Sequence, residues 1–149
     1  MIGATQALVG AGSISGAVTI KGIFAPGNPS VPFYVDAGVT LAGTTLMTLN
    51  KNVAAINTAV NTGTLHYGGT LIVTNSGATS DLVPGDSFQL FRAASYNNDF
   101  VTTILPPLIP GLFWVWTSTN GTLSVGGQYA PDLSWAPGWQ SPDIVQLWP

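Results

Sequence analysis

The sequence predicts an all-β fold, wound as a right-handed β-solenoid (a parallel β-helix) that ends in a Trp/Pro-rich C-terminal tail, with a β-sandwich as the alternative. Three observations predict it. Short β-branched runs recur along the chain, turn residues bound nearly all of them, and charge is almost absent. Lys and Arg number three and acidic residues six in 149, so charged residues make up 6%, where an ordinary domain carries about 25%.

The runs are Ser13–Ile20, Val39–Leu41, Thr44–Leu49, Thr64–Tyr67, Thr70–Thr74, Ser87–Phe91, Phe100–Ile104, Leu112–Trp116 and Gly121–Val125. Between them lie Pro26-Gly27-Asn28, Ala42-Gly43, Gly68-Gly69, Asn75-Ser76-Gly77, Pro84-Gly85-Asp86, Asn97-Asn98-Asp99 and Asn120-Gly121, the residue types that turn a chain. Several runs alternate: Ser87 and Gln89 oppose Phe88 and Leu90, and Thr122 and Ser124 oppose Leu123 and Val125. That period puts one face of each strand in water and the other in a core. Helical signals are scarce, and the one stretch that could wind, Leu46–Asn61, is rich in Thr, Val and Asn.

Evenly spaced short strands suit a sandwich, a barrel or a solenoid. The opening phrase Gly12-Ser13-Ile14-Ser15-Gly16-Ala17-Val18-Thr19-Ile20, with small residues at its turns, favours the solenoid. Composition shifts after Val125, where Pro131, Pro137, Pro142 and Pro149 join Trp135, Trp139 and Trp148. Residues 1–125 are therefore read as the solenoid domain and residues 126–149 as a cap or assembly segment.

Charge and composition exclude several functions. Lys21, Lys51 and Arg92 cannot neutralise a run of phosphates, so nucleic acid is not an expected partner. No apolar run reaches the length of a membrane-spanning helix, so no membrane insertion is expected. Cysteine is absent, which removes disulfides and thiolate metal sites. His66 is the one histidine and has no serine elbow to serve. Asp81, Asp86 and Asp99 fall in turns, where Asp ordinarily bonds its own backbone; an Asp-based polysaccharide hydrolase or lyase is a distant alternative. No catalytic residue, cofactor or metal is assigned.

The tryptophans carry more. Trp114 and Trp116 share one strand face beside Phe113, and Trp135, Trp139 and Trp148 stand in the tail with Ile144, Val145 and Leu147. Rings of this kind either close a core, bury an interface or stack on sugars. These eight residues, Trp114, Trp116, Trp135, Trp139, Ile144, Val145, Leu147 and Trp148, are the candidate assembly or sugar contacts.

The phrases beginning Leu8-Val9-Gly10-Ala11-Gly12, with Phe24-Ala25-Pro26-Gly27-Asn28, Val39–Met47, Gly63–Asn75, Gly85–Phe91 and Asn120–Val125, in this order resemble the C-terminal end of bacterial proteins carrying autotransporter-associated β-strand repeats. The resemblance covers roughly residues 7–125 and implies export, a β-solenoid passenger and a surface or matrix role without catalytic residues. Asn57-Thr58 departs from the Asn-Asp or Ser-Asp pair usual there, and the tail and the lack of a translocator barrel depart too. Met1–Gly12 lacks the basic segment of a signal peptide, so the chain is expected to have lost its export signal or to be a piece of a longer protein. The expected function is that of a non-enzymatic extracellular or cell-surface protein, structural or adhesive, that self-associates as a homo-oligomer or filament. A carbohydrate-binding module, with polysaccharide as partner, is the alternative.

Overall fold

The computed structural model describes residues 1–10, 12–26, 33–52 and 60–128. It is all-β, with mostly parallel sheets and almost no helix. One sheet joins β2 (Ser13–Ile14), β3 (Ala17–Ile20), β5 (Phe33–Leu41), β7 (Val60–His66) and β10 (Phe91–Asn97). A second stacks β1 (Ala7–Gly10), β4 (Ile23–Pro26), β6 (Thr44–Leu49), β8 (Thr70–Asn75) and β11 (Thr102–Ile104) in that order. The chain visits these two sheets alternately, and each return lies parallel to the strand before it. A third sheet, β12 (Leu112–Thr117), β13 (Thr122–Gly127) and β9 (Ser87–Gln89), is antiparallel. The β-sandwich alternative expects antiparallel neighbours throughout, and among the described residues only this small sheet has them.

The sequence pattern explains the strands. In β6, Thr45, Met47 and Leu49 are buried while Thr44, Leu46 and Thr48 turn outward; in β8, Leu71 and Val73 are buried between Thr70, Ile72 and Thr74. Parallel registers then stack like on like. Val18, Val39 and Leu65 align, as do Phe33, Val60 and Phe91 in the first sheet and Phe24, Thr45 and Leu71 in the second. Successive members of a column sit about 4.8 Å apart, so each buried side chain lies against the next along a continuous apolar core. The 46–61 stretch does not wind at its start: residues 46–49 belong to β6, and β7 begins at Val60. β-branched Thr and the inward Met47 and Leu49 gain more from the sheet's core than an isolated helix would give them. Residues 53–59 lie outside the described residues, as does the tail from residue 129.

The first sheet bends midway. Asp36 and Ala37 of β5 stand opposite the single residue Gly63 of β7, and a side chain at Gly63 would overlap the Ala37 carbonyl. At the same level Ser15 and Gly16 separate β2 from β3. Inward positions therefore step from Val35 to Val39, from Thr62 to Leu65 and from Ala93 to Tyr96, which breaks the two-residue period and turns the rung a corner.

A second corner precedes β4, β6, β8 and β11. The Ile23, Thr44, Thr70 and Val101 amides donate to the carbonyls of Gln6, Gly22, Gly43 and Gly69 at 3.0, 3.0, 2.9 and 2.8 Å. A Cβ on Gly22, Gly43 or Gly69 would overlap the carbonyl of the preceding rung. Gly43→Ala is accordingly expected to cost at least ~2 kcal/mol, whereas Ala42→Ser at the exposed neighbouring position stays within ~0.5 kcal/mol. Urea unfolding midpoints of the two variants check this.

Candidate functional site: an aromatic cap and the edges of the second sheet

The β12–β13 hairpin closes one end of the core. Its strand alternation sends Trp114 and Trp116 inward and leaves Phe113 and Val115 exposed, at 56% and 41%. The Trp114 Nε1–H donates to the Pro106 carbonyl at 2.8 Å, and the ring meets Phe88 edge-on. The Trp116 Nε1–H donates to Asp99 Oδ1 at 2.9 Å, and its ring packs on Tyr67, Phe91 and Phe100 with centroids 5.6, 6.1 and 5.8 Å away. Both indoles thus have their polar tips satisfied and their apolar bodies against the core, as half-buried tryptophans require. The other six candidates, Trp135, Trp139, Ile144, Val145, Leu147 and Trp148, lie outside the described residues.

At the cap's centre, Tyr67 is buried against Phe91, Tyr96, Phe100 and Trp116. Its hydroxyl meets no hydrogen-bond partner among the described residues. Burial, then the nearby Tyr96 and Asp99, push its phenol well above the ordinary range. Sequence inspection had no reason to single out Tyr67, because Phe91, Tyr96, Phe100 and Trp116 lie 24 to 49 residues further along the chain.

The last strand of the first sheet is covered over the first part of its outer edge. The Leu90 and Phe91 amides donate to the Gly121 carbonyl at 2.9 and 3.1 Å, and the Ala93 amide donates to the Tyr96 hydroxyl at 2.9 Å. The Phe91 carbonyl accepts from the Tyr96 hydroxyl and from Gln89 Nε2. The first-rung strand β3 is partly covered as well: Ile2 bridges to Ile20, donating to the Thr19 carbonyl and accepting from Lys21. The second sheet differs. Among the described residues β1 pairs only with β4 and β11 only with β8. Val9 on β1 and Val101 and Ile104 at β11 are exposed at 64%, 84% and 52%.

The carboxylates in the turns have local partners. Asp86 accepts from the Val83 amide at 2.8 Å and pairs with Lys51 at 3.1 Å. Asp81 accepts from Asn52 Nδ2 at 2.7 Å, and Asp99 accepts from its neighbour's amide, Phe100 N–H, at 2.8 Å as well as from Trp116. His66 stands on the outer face of the first sheet, in register with Thr40 and Asn97. Among the described residues no three His or Asp side chains gather as a metal cage would need, and no helix is long and apolar enough to cross a membrane. A shallow cleft of about 250 Å³ at the bend is lined by Tyr34, Val35, Asp36, Thr62 and Gly63.

Comparison with family models, with curated proteins and with solved structures found no match.

The cap gives a pH dependence of known sign. The Tyr67 phenol is raised in the folded chain, so the unfolded chain loses its proton first, near ~10. Stability is then level below that pH and falls as pH rises above it. Melting temperatures measured from neutral pH to about pH 11 should show the fall. Tyr67→Phe should flatten it and leave neutral-pH stability unchanged or higher, because it removes a buried hydroxyl without a partner.

Proposed function

We propose that residues 1–125 form a right-handed β-solenoid unit of an exported bacterial surface protein, and that the protein has a structural or adhesive role without catalysis. On this reading it self-associates through the open edges of its second sheet, with residues 126–149 contributing to the contact. The alternation between two parallel sheets, with every rung returning beside the last, supports the coil. The ordered phrases shared with autotransporter-associated repeats support the surface setting. Scarce charge supports assembly, since charged side chains on edges are the usual guard against strand pairing.

One observation carries the self-association. The first sheet's last strand has outward backbone groups at Phe91 and Ala93 engaged by Gln89, Tyr96 and Gly121, while both terminal strands of the second sheet keep exposed apolar side chains and a side without a partner among the described residues. A parallel edge of that kind is a template for another strand. The sugar-binding alternative calls for exposed indole faces, and Trp114 and Trp116 turn theirs to the core.

Light scattering of the full chain at micromolar concentration should give a mass above the monomer. Val9→Lys combined with Val101→Lys, both at exposed edge positions, should weaken association at least tenfold. Leu147→Asp should weaken it through the tail. A monomeric wild type refutes the assembly reading.

A further inference from the structure

The outward face of the second sheet repeats one pattern over three strands. Thr44, Leu46 and Thr48 of β6 stand beside Thr70, Ile72 and Thr74 of β8, and Thr102 and Ile104 of β11 continue the first two columns. The result is a column of Thr44, Thr70 and Thr102, a column of Leu46, Ile72 and Ile104, and a column of Thr48 and Thr74. No register shift interrupts these ladders. Columns so built repeat at about 4.8 Å across strands and about 6.6 Å along them.

Three features set this face apart from an ordinary solvated one. Its side chains are stiff, since β-branching restricts Thr and Ile to few rotamers. The Thr48 and Thr74 hydroxyls are hydrogen-bonded to each other at 3.3 Å, and the Thr74 hydroxyl donates to the Met47 carbonyl at 3.4 Å, so this pair is held in a fixed orientation. No position in the three columns is charged: of the bases, Lys51 is engaged with Asp81 and Asp86, Arg92 lies on the first sheet, and Lys21 precedes β4. A surface meant for bulk water would carry charges that hold mobile hydration. A surface meant for a protein core would be apolar throughout. Here hydroxyls alternate with aliphatic groups at fixed intervals, and Leu46, Thr74, Thr102 and Ile104 are exposed.

We infer that this face binds ice. Its occupant must be uncharged, to match a charge-free face, and ordered with a short two-dimensional repeat, to match the columns. Water oxygens on ice planes repeat at a spacing close to that between parallel strands. Threonine hydroxyls can take up lattice hydrogen bonds, while the threonine methyls and the Leu46, Ile72 and Ile104 side chains exclude disordered water between them. A crystalline polysaccharide is also neutral and periodic, but it offers sugar rings that stack on aromatic side chains, and the three columns contain none. The inference rests on the strand registers and stands apart from self-association, which acts at the edges of the same sheet.

The test uses the full chain. Ice crystals grown in its solution should be faceted, the freezing point should drop below the melting point, and recrystallisation should slow. Thr70→Lys, at the centre of the face, should raise the concentration needed at least tenfold. The near-isosteric Thr70→Val should raise it several-fold, and it keeps the inference testable if the lysine variant does not fold. Ser95→Lys, on the outer face of the first sheet, should leave activity unchanged; circular dichroism confirms that each variant is folded. Wild-type protein that neither shapes ice nor partitions into it overturns the inference, as does full activity in both Thr70 variants. Retention on crystalline cellulose or chitin without any effect on ice overturns it too and assigns the face to polysaccharide. A monomer that shapes ice supports this inference while refuting assembly; an oligomer inert toward ice does the reverse.

Discussion

Everything in this chain depends on how closely successive rungs approach at the corner before the second sheet. There, backbone meets backbone directly. Each amide that opens a strand, at Ile23, Thr44, Thr70 and Val101, is held by the carbonyl of the rung before it, and the stacked glycines Gly22, Gly43 and Gly69 leave no room for a β-carbon between the rungs. Because the corner is fixed to the residue, the registers that follow it are fixed as well. Those registers set Phe24 over Thr45 over Leu71 on the inside and Thr44 over Thr70 over Thr102 on the outside. A slip of one residue would turn every buried side chain of a strand to water, so the glycine corner and the apolar columns enforce the same register.

Much of this was legible in the sequence because it is local. Ala42-Gly43 and Gly68-Gly69 read as turns on residue type, and both are corners of the stack. The alternation of Ser87, Phe88, Gln89 and of Thr122, Leu123, Ser124, Val125 gives the buried face of β9 and β13 correctly. The partners of each strand were not legible. Ile23 pairs with Thr44, Thr44 with Thr70 and Thr70 with Thr102, so each rung is longer than the last and no fixed repeat length marks the pairing. The same absence of a period left residues 46–49 open to a helical reading that their inward Met47 and Leu49 rule out.

The candidate site divides along the same line. That Trp114 and Trp116 share a face follows from their i, i+2 spacing, and their common side is the one toward the core. Which side that would be was not decidable, because Phe113 and Val115 are as apolar as the residues they alternate with. The deciding contacts come from afar, from Asp99 and Phe100, from Pro106 and from Tyr67. The threonine columns were hidden for a related reason: Thr44, Thr70 and Thr102 are unremarkable singly and become a surface only once the registers bring them together.

In the proposed assembly the ends of the second sheet bear on direction more than on strength. β11 is only three residues long and runs through Leu105 into Pro106 and Pro107, and proline cannot donate to a ladder. So short an edge offers about two backbone hydrogen bonds, each worth roughly 1 kcal/mol net. A micromolar contact needs about 8 kcal/mol, so pairing at β11 alone cannot hold two copies together. The exposed Val101 and Ile104 side chains add apolar area, at ~25 cal/mol per Å² buried, yet two aliphatic side chains fall short of the remainder after the cost of association. In the proposed assembly the rest of the energy would come from the tail, whose Ile144, Val145, Leu147 and Trp148 are apolar. The roles then separate. In the proposed assembly the open edge would set orientation and register, and the tail would supply affinity. A copy added in that register would also prolong the second sheet in the plane of its threonine columns, so that the edge which joins molecules and the face they present are features of one sheet.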